Sequence, residues 1–155
     1  MMHPLKISIV QTDIAWENKQ ENLRMLREKL HALRGTTEIV VLPEMFSTGF
    51  TMKSRELAEP VSGITVRILK ELAADFQLAL CGSFICSERS NYYNRAFFIT
   101  PEGEEFYYDK RHLFRMGNEA EYFSSGNNKL IISYRGWNIC LLVCMICVFR
   151  YGDGM

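Results

Sequence analysis

Residues 137–143 read Trp-Asn-Ile-Cys-Leu-Leu-Val, and Cys144 follows. The run is too short for a buried helix and rich in strand formers, which predicts a buried strand. It delivers a cysteine at its C-terminal end, where an open α/β sheet places its ligands and chemistry. Two earlier segments end on a charged residue in the same way: 39–43 leads to Glu44, and 106–109 leads to Lys110. A glutamate, a lysine and a cysteine, each at a strand end and in that chain order, are the constellation on which the reading rests.

Working outward from these three ends, residues 5–12 (LKISIVQT) are dominated by Ile, Val and Leu and predict a first strand. Residues 18–34 carry Leu23, Leu26, Leu30 and Leu33 along one stripe of an amphipathic helix, which Gly35 terminates. Residues 37–43 (TEIVVLP) form a second strand, apolar as in a sheet covered on its faces. Residues 44–51 (EMFSTGFT) read as a loop. A second helix starts at Ser62-Gly63 and runs to Phe76, with Val66, Leu69, Ala73 and Phe76 facing inward.

Residues 78–84 (LALCGSF) give a third buried strand. Residues 94–100 and 104–108 flank the turn Pro101-Glu102-Gly103 and form a hairpin. Residues 111–125 have no clean period and read as a loop that can hold a short helix. Residues 130–134 and 137–143 are joined by Arg135-Gly136 as a second tight hairpin. The order βαβαβ, then ββ, then ββ predicts an α/β layered domain with a mixed sheet. No repeat, linker or low-complexity stretch interrupts it.

The 155 residues suffice for one domain with a sizeable core, and 48% apolar content is that of a globular protein. Eighteen basic residues balance eighteen acidic ones, which gives no footing for a nucleic-acid or membrane-surface partner. No signal-type segment opens the chain, and no run approaches membrane-spanning length. Five cysteines, mostly inside apolar runs, point to free thiols in a reducing compartment, hence to the cytoplasm.

Cysteines in apolar strands are most often buried and structural, and Cys81, Cys86 and Cys140 are assigned to that kind. Cys144 differs through its company. A thiol becomes a good nucleophile when a nearby positive charge or base favours the thiolate. Lys110 supplies the charge, and Glu44 can take the proton and return it to a leaving amine. Singly, a glutamate after a proline and a lysine in Asp-Lys-Arg-His are ordinary solvated charges. Their settings, LPEMF at 42–46 and YDKRHLF at 108–114, surround them with apolar and aromatic side chains and predict a partly buried pocket.

PEMF at 43–46, YDKRHLF at 108–114 and a strand ending at Cys144 together resemble the nitrilase-type carbon–nitrogen hydrolases, with wording closest to the omega-amidases. The resemblance runs from Leu5 to Cys144. It implies the N-terminal part of a four-layer α-β-β-α sandwich, with a Glu-Lys-Cys triad carried by Glu44, Lys110 and Cys144. It implies hydrolysis of the terminal amide of a short 2-oxo acid amide, releasing ammonia through a cysteine thioester. It also implies a small-molecule substrate, no metal or organic cofactor, and homo-oligomers for the full-length protein. Many members of the family add a second glutamate seven residues before a glycine. Glu119 has that spacing to Gly126, whereas Glu121 is five away, so Glu119 is the expected fourth residue.

After the nucleophile the family reads approximately C-Y-D-L-R-F-P, but this chain continues Cys144-Met145-Ile146-Cys147-Val148-Phe149-Arg150-Tyr151-Gly152. One choice of codons for residues 145–152 is ATG ATC TGC GTT TTC CGG TAT GG. One T restored before it gives TAT GAT CTG CGT TTT CCG GTA TGG, or Y-D-L-R-F-P-V-W. The expectation is therefore an incomplete carbon–nitrogen hydrolase domain over 1–144 and an out-of-frame tail over 145–155. The frame-restored protein is the one expected to be active, and a sheet lacking the second half of the sandwich is expected to aggregate. The alternative is a non-catalytic remnant or binding module of the same fold. A rival reading takes Cys140, Cys144 and Cys147 as the C-x3-C-x2-C ligands of an iron–sulfur cluster. It is disfavoured because 140 and 144 share a strand face while 147 points the other way.

Overall fold

The computed structural model describes residues 4–143. Strand β1 (Ile7–Ile9) is followed by helix α1 (Lys19–Leu33), strand β2 (Ile39–Val41) and the single turn α2 (Ser54–Leu57). Helix α3 (Ile64–Phe76) leads to β3 (Ala79–Glu88), β4 (Asn91–Ile99) and β5 (Glu105–Asp109). A 3-10 turn at Arg115–Gly117 and the short α4 (Glu119–Tyr122) precede β6 (Ile131–Tyr134) and β7 (Trp137–Cys140). Strands β1 to β5 form one sheet in sequence order, and β6 and β7 form a separate two-stranded ribbon. β1, β2 and β3 run parallel, whereas β4 and β5 are antiparallel additions.

The leucine stripe builds the first layer. Leu23, Leu26 and Leu30 of α1 and Val66, Leu69, Leu72, Ala73 and Phe76 of α3 are buried against Val40, Leu80, Phe97 and Ile99 of the sheet. Full burial of each large aliphatic side chain stabilises the fold by about 1.5–3 kcal/mol, so this stripe dominates the choice of helix orientation. α1 opens on Asn18, whose side chain accepts the Glu21 N–H at 3.1 Å. α3 ends at Gln77, which takes the left-handed conformation at φ 55.

Side chains alternate along each strand, so the neighbours Ile39, Ala79, Ala96, Phe98 and Tyr108 point to the other face. There they meet Ile132, Tyr134 and Leu141 from the ribbon and the residue beyond it. Arg135, in the ribbon's turn, pairs with Glu38 ahead of β2. Helices, sheet and ribbon thus stack in three layers. They fit the α-β-β order of the expected sandwich.

The strands are shorter or longer than sequence predicts. β1 and β2 keep three residues each of the longer apolar runs. β3 continues beyond Phe84 to Glu88 because β4 pairs with it along its full outer half. The largest correction concerns 137–143. Its strand spans only Trp137–Cys140 and is mostly exposed, since a two-stranded ribbon has one face on the core and one in solvent. Cys140, expected to be buried, lies on that outer face opposite Ile131, itself 66% exposed.

Candidate active site

Topology brings the predicted charges to one edge. β3 runs with β2, β4 reverses and β5 reverses again, so Glu44 after β2 and Lys110 after β5 emerge at the same end. The loop that carries Glu44 is fixed from behind. Asn22, buried in α1, donates to the Ser47 carbonyl at 2.7 Å and to the Ala15 carbonyl at 2.8 Å. The Met45 N–H donates to Ser83 Oγ at 2.9 Å, while Met45 itself adopts φ 47, an uncommon conformation for a residue with a side chain.

The Lys110 ammonium is held between two carboxylates. Nζ donates to Glu44 Oε1 at 2.8 Å and to Glu119 Oε2 and Oε1 at 2.9 and 3.2 Å. Glu119 also accepts the Phe114 N–H at 2.6 Å, which tethers it to the loop it belongs to. Lys110 is 1% exposed and Glu119 0%, whereas Glu44 is 23% exposed. Burial pulls the Lys110 pKa down, but the hydrogen bonds and charges of Glu44 and Glu119 outweigh it and hold the group above its ordinary range. Lys110 therefore stays an ammonium, an electrophilic donor rather than a base. The Phe50 ring lies 5.2 Å from Nζ, so an aromatic face caps the charge.

The two glutamates of the lysine loop have opposite fates. Glu119 turns into the cluster, and Glu121 is exposed. A cleft of about 170 Å³ opens beside Glu44, bordered by Cys81 and Ser83 of β3 and by Leu141, Leu142 and Val143. Cys144, the expected nucleophile, lies outside the described residues, as does Cys147; Val143, one residue before Cys144, borders the cleft. Burial pushes the Cys81 thiol up to about 12 and the Cys86 thiol up to about 11, which makes both poor nucleophiles.

Sequence reasoning missed Asn94. Its side-chain Nδ2 donates to Glu44 Oε1 at 2.6 Å and to Glu119 Oε1 at 3.4 Å, and its backbone carbonyl accepts the Lys110 N–H at 2.9 Å. A signal was present. Once Pro101-Glu102-Gly103 is read as the hairpin turn, the register that pairs Arg95 with Asp109 sets Asn94 opposite Lys110. Among the described residues no group of three or more His, Cys, Asp or Glu side chains could hold a metal ion.

These features agree with comparison to known proteins. Residues 6–148 match the carbon-nitrogen hydrolase family, and the chain belongs to it. Over 143 residues it is 34% identical to omega-amidase YafV of Escherichia coli (strain K12), covering 92% of this chain and 55% of the relative. An (R)-stereoselective amidase from Pseudomonas sp is 28% identical, covering 90% and 51%. Among solved structures, XC1258 from Xanthomonas campestris superposes with a TM-score of 0.89 at 37% identity, covering 92% of this chain and 54% of that one. XC1258 is a CN-hydrolase superfamily protein with an arsenic adduct in its active site. Nit3 of Saccharomyces cerevisiae, from the nitrilase superfamily, gives 0.73 at 25% identity, covering 83% and 51%. The fold is nitrilase-like, and the chain spans about half the length of the curated relatives it matches.

Proposed function

We propose that the complete protein hydrolyses the terminal amide of a short 2-oxo acid amide through a thioester on Cys144. The observation that carries this reading is the buried Lys110 ammonium clamped by Glu44 and Glu119 beside the cleft that Val143 borders. The substrate class rests on the 34% identity to an omega-amidase.

The Cys144 thiol attacks the amide carbon and its proton passes to Glu44. The resulting oxyanion is held by the Lys110 ammonium and the backbone N–H of residue 145. Collapse breaks the carbon–nitrogen bond, Glu44 returns the proton, and ammonia leaves. Water then attacks the thioester while Glu44 takes its proton; the acid departs and Cys144 is reprotonated. Glu119 holds Lys110 and does not meet the substrate. Its complete burial supports that role.

We assign the protein to the cytoplasm on its free thiols, and among the described residues no helix is long and apolar enough to cross a membrane. Residues 145–155 are read as out of frame, which sequencing across codon 144 tests. The frame-restored protein should release ammonia from a short 2-oxo acid amide, and mass spectrometry should trap an acyl adduct on the Cys144 peptide. Cys144→Ala should abolish both while preserving the fold. Turnover retained by that variant would sink the assignment.

A further inference from the structure

We propose that Asn94 is a positioning residue that decides which oxygen of Glu44 handles the proton, an inference that rests on the reading of Glu44 as the proton carrier. Asn94 is fully buried on β4 and touches every member of the charged cluster. Its backbone carbonyl holds the Lys110 N–H, and its amide nitrogen donates to Glu44 Oε1 and more weakly to Glu119 Oε1.

The orientation of the amide follows from chemistry. Carboxylates only accept, so the NH2 group must face them and Oδ1 must face away. Oδ1 is buried and, among the described residues, has no hydrogen-bond partner. An orphaned buried acceptor is unfavourable, so the site retains asparagine against a penalty that an apolar residue of the same shape would avoid. What the asparagine supplies is a donor without a charge. It fixes the Glu44 carboxylate from a second side without adding another cation beside Lys110.

The consequence is a division of labour within Glu44. Oε1 accepts from both Lys110 Nζ at 2.8 Å and Asn94 Nδ2 at 2.6 Å. Oε2 takes part in neither bond, and Glu44 is the one partly exposed member of the three charged residues and lines the cleft. Oε2 is thereby the oxygen left to exchange protons with the thiol and the leaving group. Among the described residues, the charged and titratable groups near Glu44 are Lys110 from the end of β5, Glu119 from α4 and, across the cleft, Cys81 from β3.

The test uses the frame-restored protein with Asn94→Leu, which keeps the shape and removes the donor, and Asn94→Asp, which sets an acceptor against both carboxylates. For Asn94→Leu we expect kcat to fall about 10- to 100-fold with KM changed less than about 3-fold. At matched fractions folded the loss should fall on kcat rather than on KM, a split that a merely structural asparagine would not give. Asn94→Asp should lower kcat further, again with KM little changed. If Asn94→Leu does not fold, Asn94→Asp alone decides. Lower yield or thermal stability with kcat per folded molecule unchanged would mean a merely structural asparagine and would overturn the proposal. Cys144→Ala and Glu44→Gln separate the two readings. Turnover in either removes the parent mechanism, whereas two dead controls beside an unchanged Asn94→Leu remove only the role of Asn94.

Discussion

Gly126 lies so close to Asp109 that a Cβ built on it would overlap the Asp109 carbonyl oxygen. The Gly126 N–H donates to the Lys110 carbonyl at 3.0 Å, and Ser125 Oγ donates to the Arg111 carbonyl at 2.5 Å. The loop that carries Glu119 is therefore closed at its neck onto the strand end that carries Lys110. The seven-residue spacing from Glu119 to Gly126 has a physical meaning: the glycine allows the backbone contact that returns the loop. Gly126→Ala should destabilise by about 1–3 kcal/mol and reduce turnover more than that loss alone explains, since backbone must move beside Lys110. Gly136→Ala, at φ 82 with open space around it, should cost about 1–2 kcal/mol through backbone conformation alone and leave turnover intact. Equal effects of the two on activity, at matched fractions folded, would refute the neck.

The contrast between Glu119 and Glu121 gives a second test. Glu119→Gln keeps the size of the side chain and an acceptor for the Phe114 N–H, but removes one of the two charges that hold the Lys110 ammonium. Turnover should fall by about 10- to 100-fold, the loss expected from a hydrogen bond to a charged group of about 1.5–3 kcal/mol. Glu121→Gln changes an exposed side chain and should stay within about 0.5 kcal/mol of the parent in stability. Steady-state kinetics and chemical denaturation of both variants check this, and the reverse order would show that the cluster geometry does not govern catalysis.

Both helices were legible because their apolar residues recur at helical spacing: Leu23, Leu26 and Leu30, then Val66, Leu69, Ala73 and Phe76, are all buried. The Arg135-Gly136 hairpin was legible from its glycine, and both residues take positive φ. The β3–β4 hairpin was not. Its turn uses Arg89 and Ser90 at φ 47 and 66, and neither carries the Asn-Gly signal on which such turns are read. The ribbon strand was misjudged because apolar composition cannot tell a strand buried on two faces from one packed on a single face. At the site, Glu44, Lys110 and Glu119 stood out through their motifs, and the structure brings them together. Asn94 and Ser83 did not stand out, because a polar residue in a strand acquires its meaning only from what lies across the sheet. Cys144 is outside the described residues.

Ser83 supports a third prediction. Its hydroxyl accepts the N–H of Met45, a fully buried residue in the left-handed conformation immediately after Glu44. Ser83→Ala leaves that N–H buried without a partner, at a cost of about 1–3 kcal/mol, and frees the turn that aims Glu44 into the cleft. Stability and kcat should fall together, with the thiols still unreactive at Cys81 and Cys86. Ser83→Thr, which keeps the hydroxyl, should recover most of kcat. If Ser83→Ala matches the parent in both denaturation midpoint and kcat, the Met45 turn does not depend on this bond.

The fourth prediction concerns alkaline stability. Burial raises Cys81 from 9.0 to about 12 and Cys86 from 9.0 to about 11. Between about pH 9 and pH 11 the unfolded chain releases thiol protons that the folded protein retains. Because the folded state then binds more protons, its stability must fall as pH rises. Lys110 acts in the same direction at higher pH. Its folded pKa lies above 10.5, so the unfolded lysine loses its proton first and the stabilisation it provides disappears as pH climbs through the folded value. A group retained in one state and released in the other changes stability by about 1.4 kcal/mol per pH unit, so two thiols acting together lower it on the order of 2 kcal/mol across the first unit or so above pH 9. Urea midpoints measured from neutral pH to about pH 10.5 should hold steady and then decline before the lysine titrates. Cys86→Ala should cost packing energy at neutral pH, and its midpoint should decline less steeply above pH 9. A parent whose midpoint is flat to pH 10.5, or a Cys86→Ala slope equal to the parent's, would show that these thiols ionise in the folded protein as readily as in the unfolded chain.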